Sequence, residues 1–219
     1  MTVRSLVSAV HTATIGEAWL AIARAILSDG LASRYDDLPI LELPRVTITV
    51  DAPRTDDSIV HALGDPDRLE WMHANFTDYS LVRELGDARS YASRLFDYGG
   101  AGRNQVQWII ERLRADPSSR SATITTFEPL LDTSYIPCVS LLDFWIREGA
   151  LDQVVYAHSI DFGAKGYANL VELAWLQEHI ATALGVPVGR LDFVVKSAHV
   201  YETEFDYMNT VLARVDRVG

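Results

Sequence analysis

Ile136-Pro137-Cys138-Val139-Ser140, running on into Leu141-Leu142-Asp143-Phe144-Trp145-Ile146, is the stretch from which this chain is best understood. A proline and the only cysteine in the chain open an apolar, aromatic run with the length and composition of a buried strand. A thiol in that setting has two possible uses. It packs as small apolar filler, or, at a strand end beside positive or hydrogen-bonding groups, it ionises and becomes a nucleophile. Its companions elsewhere in the chain decide between them.

Downstream, Glu148-Gly149 reads as a hairpin-like turn into a strand over 154–158, and a second turn spans 163–166. Residues 169–184 form the longest helical pattern, apolar on most of its surface and therefore central. Gly185-Val186-Pro187 stops it, a strand over 190–195 continues to Ser197-Ala198-His199-Val200-Tyr201, and a last helix covers 203–213. Upstream, the turn Asp116-Pro117-Ser118-Ser119-Arg120 launches a strand over 122–127, behind a helix over 104–113. The glycines of Asp97-Tyr98-Gly99-Gly100-Ala101-Gly102 read as a turn, since neither a preceding strand nor a GxxxxGK signature makes them a phosphate loop. Residues 56–85 hold short helices, 44–50 a strand, 31–39 a polar loop, 15–27 an amphipathic helix, and 1–11 a weakly patterned arm. Consecutive strands with helices interposed predict an α+β fold, one large mixed sheet packed by helices, as a single domain over 1–219.

Length and charge narrow the possibilities. The 219 residues suffice for one well-packed domain, and 48% hydrophobic with 22% charged residues is ordinary globular composition. A net charge of -11 without any run of Lys or Arg argues against nucleic acid as a partner. No apolar run approaches the roughly 18 residues of a membrane span, and a lone cysteine fits a reducing interior, so the expected location is the cytoplasm. The six histidines show no metal-ligand spacing, and no metal is expected.

The ordered set Tyr91 with Arg94, Asp116-Pro117-Ser118-Ser119-Arg120, Pro137-Cys138, Ser159 and Asp161, Asn169 at the head of a long apolar helix, and His199-Val200-Tyr201 at a strand end resembles thymidylate synthase, in particular the short members of that superfamily. The resemblance spans 89–201, and the helix over 15–27 fits the family's opening helix. It implies that the Cys138 thiolate adds to C6 of a pyrimidine, making C5 nucleophilic toward a one-carbon unit from 5,10-methylenetetrahydrofolate. By the same resemblance, Asn169 hydrogen-bonds the base, which suits uracil. His199 and Tyr201 bind the sugar hydroxyl. Ser159 and Arg120 bind phosphate, Arg120 reaching across a homodimer interface. Asp161 holds the pteridine, Tyr91 lies near the proton-transfer site, and Glu70 takes the place of the glutamate expected in an early helix. Asn169 also has a plain structural use, as a helix N-cap.

The departures from the family pattern bear on substrate. Val139 stands where a histidine usually follows the cysteine, and His158 where an arginine precedes the phosphate serine. The arginine pair after the Asp-Pro turn is reduced to Arg120-Ser121, and the loop arginine has only Tyr35-Asp36-Asp37 in its place, with Arg34 adjacent. Each lost guanidinium removes charge-assisted bonds worth about 1.5–3 kcal/mol. His158 replaces an arginine only when protonated, and Lys165 and Lys196 are the nearest other cations by sequence. Three functions follow: methyl transfer of the dUMP-to-dTMP type, hydroxymethyl transfer to a pyrimidine in modified-nucleoside synthesis, and a catalytically weakened homologue that binds a nucleotide.

Overall fold

In the computed structural model, which describes residues 9–35, 37–133 and 135–215, local chemistry starts the first helix at the residue the sequence predicts. After β1 (Ala9–Thr12), α1 (Ile15–Asp29) opens on a capping box: the Thr14 hydroxyl accepts from the Glu17 N–H, and the Glu17 carboxylate accepts from the Thr14 N–H. β2 (Leu31–Tyr35) and β3 (Leu38–Val50) follow, then α2 (Ser58–Leu63) and α3 (Pro66–Thr77), capped by the Asp57 and Asp65 carboxylates. The short pair β4 (Leu81–Val82) and β5 (Ala88–Arg89) precedes α4 (Tyr91–Phe96), α5 (Gln105–Ala115) and β6 (Thr123–Thr125). β7 (Val139–Arg147), β8 (Ala150–Ala157), β9 (Ile160–Asp161), α6 (Gly166–Leu184), β10 (Val188–Tyr201) and α7 (Phe205–Val215) complete the chain.

One eight-stranded mixed sheet runs in the order β1-β3-β10-β8-β7-β6, with β2 added to β3 and β9 to β10. This is the α+β architecture the sequence predicts. The β7–β8 hairpin closes through Glu148 and Gly149, both at positive φ (55° and 84°), a two-residue turn whose twist matches that of the strands. Helices α1, α5 and α6 cover one face of the sheet. Against them, Leu142 and Phe144, Leu151 and Val155, Leu191, Phe193 and Val195, and Val46, Ile48 and Val50 form the buried rows. α6 is buried over most of its circumference because α3 and α5 pack on the side away from the sheet. The opposite face of the sheet carries Leu141, Tyr156 and Val194 in one cross-strand row, each exposed by a third or more.

Three boundaries differ from expectation. Residues 31–35 are not loop but a strand paired antiparallel with β3, and β3 begins at Leu38 rather than Pro44. The β2–β3 hairpin is local, but β3 is held in the sheet by β10, more than a hundred residues further on, which a local composition count does not see. Ala9–Thr12, within the expected arm, pair in parallel with Thr47–Val50; residues 1–8 and Asp36 lie outside the described residues. Finally, α6 starts at Gly166 with Lys165 as its N-cap, so Asn169 sits inside the first turn and is not the cap. Gly166 is required there, since a Cβ would lie 2.7 Å from the Phe162 ring. No described helix is long and apolar enough to cross a membrane.

Candidate active site

Strand pairing brings the separated motifs to one end of the sheet. β7 and β8 are antiparallel, so the residue before β7 meets the residue after β8, and the His158 N–H donates to the Cys138 carbonyl at 3.0 Å. β8 and β9 both run parallel to β10, which sets Asp161 beside His199 in register. The head of α6 adds Lys165 and Asn169, α4 adds Tyr91, and α3 adds Trp71, Met72 and Asn75. Together these residues line a cavity of about 670 Å³, within the range of a small-ligand site.

Cys138 is part-buried, and burial pushes its thiol pKa up. Opposing that, the Tyr135 hydroxyl hydrogen-bonds the sulfur and the charge of Lys165 favours the thiolate, while Asp161 acts in the other direction. The Tyr91 hydroxyl accepts the Val139 N–H at 3.0 Å, which fixes it next to the thiol. Its pKa is held well above the ordinary phenol value, chiefly by burial, so it is a neutral donor at physiological pH. The Asn169 amide donates to the Lys165 carbonyl at 3.0 Å.

The Asp161 carboxyl accepts the N–H groups of Gly163 (2.9 Å) and Ala164 (3.3 Å) on one oxygen, yet burial outweighs these bonds and lifts its pKa to about 6. His199, 2% exposed, has Nδ1 3.4 Å from the Ser159 hydroxyl, and its Nε2 is buried with no partner among the described residues. Burial lowers its pKa, so the ring is neutral and Nε2 is available for a polar ligand group. Tyr201 packs edge-on against it, 5.1 Å between centroids. His158 is also pushed down, by burial and by Lys196.

The cavity therefore gathers Cys138, Tyr91, Asn169, Ser159, His158, Asp161, His199 and Tyr201, all named from sequence. Two residues lie elsewhere. Glu70 is exposed and off the cavity, because Trp71, Met72 and Asn75 use the inward face of α3; the acid that does line this side is Glu84. Arg120 is exposed with its guanidinium 4.9 Å from the Trp145 ring and does not line the cavity of its own chain. Nor does Arg34, which is exposed and donates to the Asp37 carbonyl.

Residues not anticipated as part of the site are Tyr35, which packs 5.7 Å from His199, together with Trp71, Asn75 and Tyr135. Tyr135 could have been noticed three residues before the cysteine; Tyr35 could not, because its stretch reads as polar loop.

A mixed sheet that gathers a cysteine, a neutral histidine, an amide and a part-buried carboxyl around one cavity open to solvent offers a thiol and several polar groups to a bound ligand. The model of the thymidylate synthase family matches residues 56–218, and the chain belongs to that family. It is 32% identical over 215 residues to a protein of Methanothermobacter marburgensis, covering 90% of this chain and 95% of that one. To one of Methanosarcina acetivorans it is 28% identical over 216 residues, 94% and 95% of the two chains. Both bear the name "Putative thymidylate synthase". A deoxyuridylate hydroxymethyltransferase of Bacillus phage SP01 is 38% identical over 109 residues, 47% of this chain and 28% of the phage protein. The chain is thus a transferase of the type that moves one carbon to C5 of a pyrimidine.

Proposed function

We propose that the protein transfers a one-carbon unit from 5,10-methylenetetrahydrofolate to C5 of a uracil nucleotide, giving the methyl product, through a Cys138 adduct. The observation that carries this is the convergence of Cys138, Tyr91, Asn169, Asp161 and His199 on one cavity from five separate parts of the fold. The Cys138 Sγ–C6 bond forms as the C5=C6 electron pair moves toward C5 and O4, and the Asn169 amide hydrogen-bonds the base edge where that charge develops. The Tyr91 hydroxyl, held beside the thiol, would relay the C5 proton outward as the methylene on C5 parts from the folate nitrogen, which keeps the electron pair; hydride added to that methylene and departure of the Cys138 thiolate from C6 would then restore the C5=C6 bond. His199 Nε2 and Tyr201 take the sugar hydroxyl.

The folate supplies the one-carbon unit and, for a methyl product, the hydride. Asp161 and Trp71 fit its pteridine, one as an acceptor for ring N–H groups and the other as a flat wall. The uncovered face of the sheet, with Leu141, Tyr156 and Val194 in a row, supports a homodimer in which Arg120, on that face beside Trp145, reaches the neighbouring cavity. The chain is taken as a single cytoplasmic domain.

A second product is favoured by one finding, the similarity to a deoxyuridylate hydroxymethyltransferase. There water captures the exocyclic methylene in place of hydride, giving 5-hydroxymethyl. The test is tritium release from C5-labelled dUMP, UMP, dCMP and CMP, with and without the folate, in wild type and Cys138→Ala. Release from a uracil nucleotide that needs Cys138 supports the proposal, and mass analysis of the product separates methyl from hydroxymethyl. No release from any of the four by folded protein refutes it.

A further inference from the structure

Among the described residues that line the cavity, Lys165 is the only lysine or arginine. Its main chain is held by two residues of the site itself. The Lys165 N–H donates to the Asp161 carbonyl at 3.1 Å, and its carbonyl accepts both the main-chain N–H (2.9 Å) and the side-chain amide (3.0 Å) of Asn169. The side chain makes no capping bond to α6. Instead its ammonium lies 4.1 Å from the centre of the Trp71 ring, a cation–π contact across the cavity wall.

This is an expensive place for a lysine. A cation at the positive end of a 19-residue helix opposes the helix dipole, and N-caps are normally Ser, Thr, Asp or Asn, which satisfy the first N–H groups. A residue kept against local preference and aimed into a cavity indicates a role in that cavity. The alternative cation is poorly placed for charge: His158, where the family pattern has arginine, is held neutral by burial and by Lys196.

We propose that Lys165 is the positioning residue that holds Cys138 as the thiolate, its ammonium set against the Trp71 ring and its main chain tied to Asp161 and Asn169. The assignment rests on Cys138 being the nucleophile. The titratable groups that share the cavity wall with Cys138 include Tyr135 from the loop before β7, Tyr91 from α4, Glu84, His158, Asp161 from β9, His199 and Lys165 from the start of α6. The tyrosines are neutral at working pH and Asp161 opposes ionisation. Lys165 therefore supplies the full positive charge in this set.

Because the chain has one cysteine, thiol titration of the whole protein reports on Cys138 alone. Ultraviolet thiolate absorbance and iodoacetamide alkylation are followed against pH, with Cys138→Ala as the blank. Lys165→Met is expected to raise the apparent thiol pKa by about one pH unit and to slow alkylation at neutral pH about tenfold. Lys165→Arg keeps both within about twofold, since it restores the charge. Removal of the unfavourable cap charge also predicts no loss of folding stability in Lys165→Met, which a merely structural lysine would show. Lys165→Gln serves as a second neutral variant. Unchanged alkylation profiles in both neutral variants, folded, overturn the proposal even where tritium release still depends on Cys138. Loss of the Cys138 dependence of release refutes the function instead, and the titration still decides whether Lys165 governs the thiol.

Discussion

Asp161 offers the sharpest test of how the site trades stability for function. Its carboxyl is part-buried at the cavity wall and accepts two main-chain N–H groups on Oδ1, yet loss of solvation raises its pKa from 3.8 to about 6. For a carboxyl the sign follows directly. A folded-state pKa above the unfolded one means that the folded protein binds the proton more tightly, so stability is lost as pH rises from about 4 to about 6. A rise of roughly two pH units at ~1.4 kcal/mol each sets the penalty at pH 8 near 3 kcal/mol, an upper bound because water reaches part of the group.

Asp161→Asn removes the charge and keeps Oδ1 as acceptor for Gly163 and Ala164, so the loop into α6 retains its shape. In urea unfolding the variant should exceed wild type by up to about 3 kcal/mol at pH 8, and by only about 0.5 kcal/mol at pH 4, where the wild-type carboxyl is protonated in the folded state. Turnover should fall in the same protein. An equal offset at both pH values, or a less stable variant at pH 8, would show that the carboxyl is not strained by burial.

Two further predictions concern the frame of the site. Arg94, 2% exposed, forms a two-pronged bond to Asp132 at 2.8 Å and donates to the Thr126 carbonyl, tying α4 to the segment that leads to Tyr135 and Cys138. Arg94→Met alone should cost about 3–5 kcal/mol by stranding a buried carboxylate, and Arg94→Met with Asp132→Leu should recover part of it, read by a double-mutant cycle in urea. Arg120 acts across a dimer if mixed Arg120→Ala and Cys138→Ala subunits, each inactive alone, regain about a quarter of wild-type turnover on re-assortment; no recovery would place its role within one chain or nowhere.

Much of the site could be read from the chain because the chemistry-bearing residues occur in fixed order beside strong local signals: a cysteine at a strand start, an aspartate before a glycine turn, a histidine at a strand end. The start of α1 at Ile15 was legible from its apolar periodicity, and in the structure the caps Thr14, Asp57 and Asp65 act on N–H groups within three residues. What failed locally was decided at a distance. Glu70 and Trp71 are neighbours in sequence, and only the packing of α3 on α6 sends one outward and the other to the cavity. Tyr35 joins His199 because β2 pairs locally with β3 and β3 pairs with β10, more than a hundred residues further on. Sequence alone determined the fold class and the family and singled out Cys138 as the candidate nucleophile, because periodicity and motif order can be read along the chain. Tertiary structure alone decided which charges share a cavity with Cys138, because a side chain's electrostatic neighbours are set by sheet register and helix packing, and through these Lys165 lines that cavity while Arg34 and Arg120 do not.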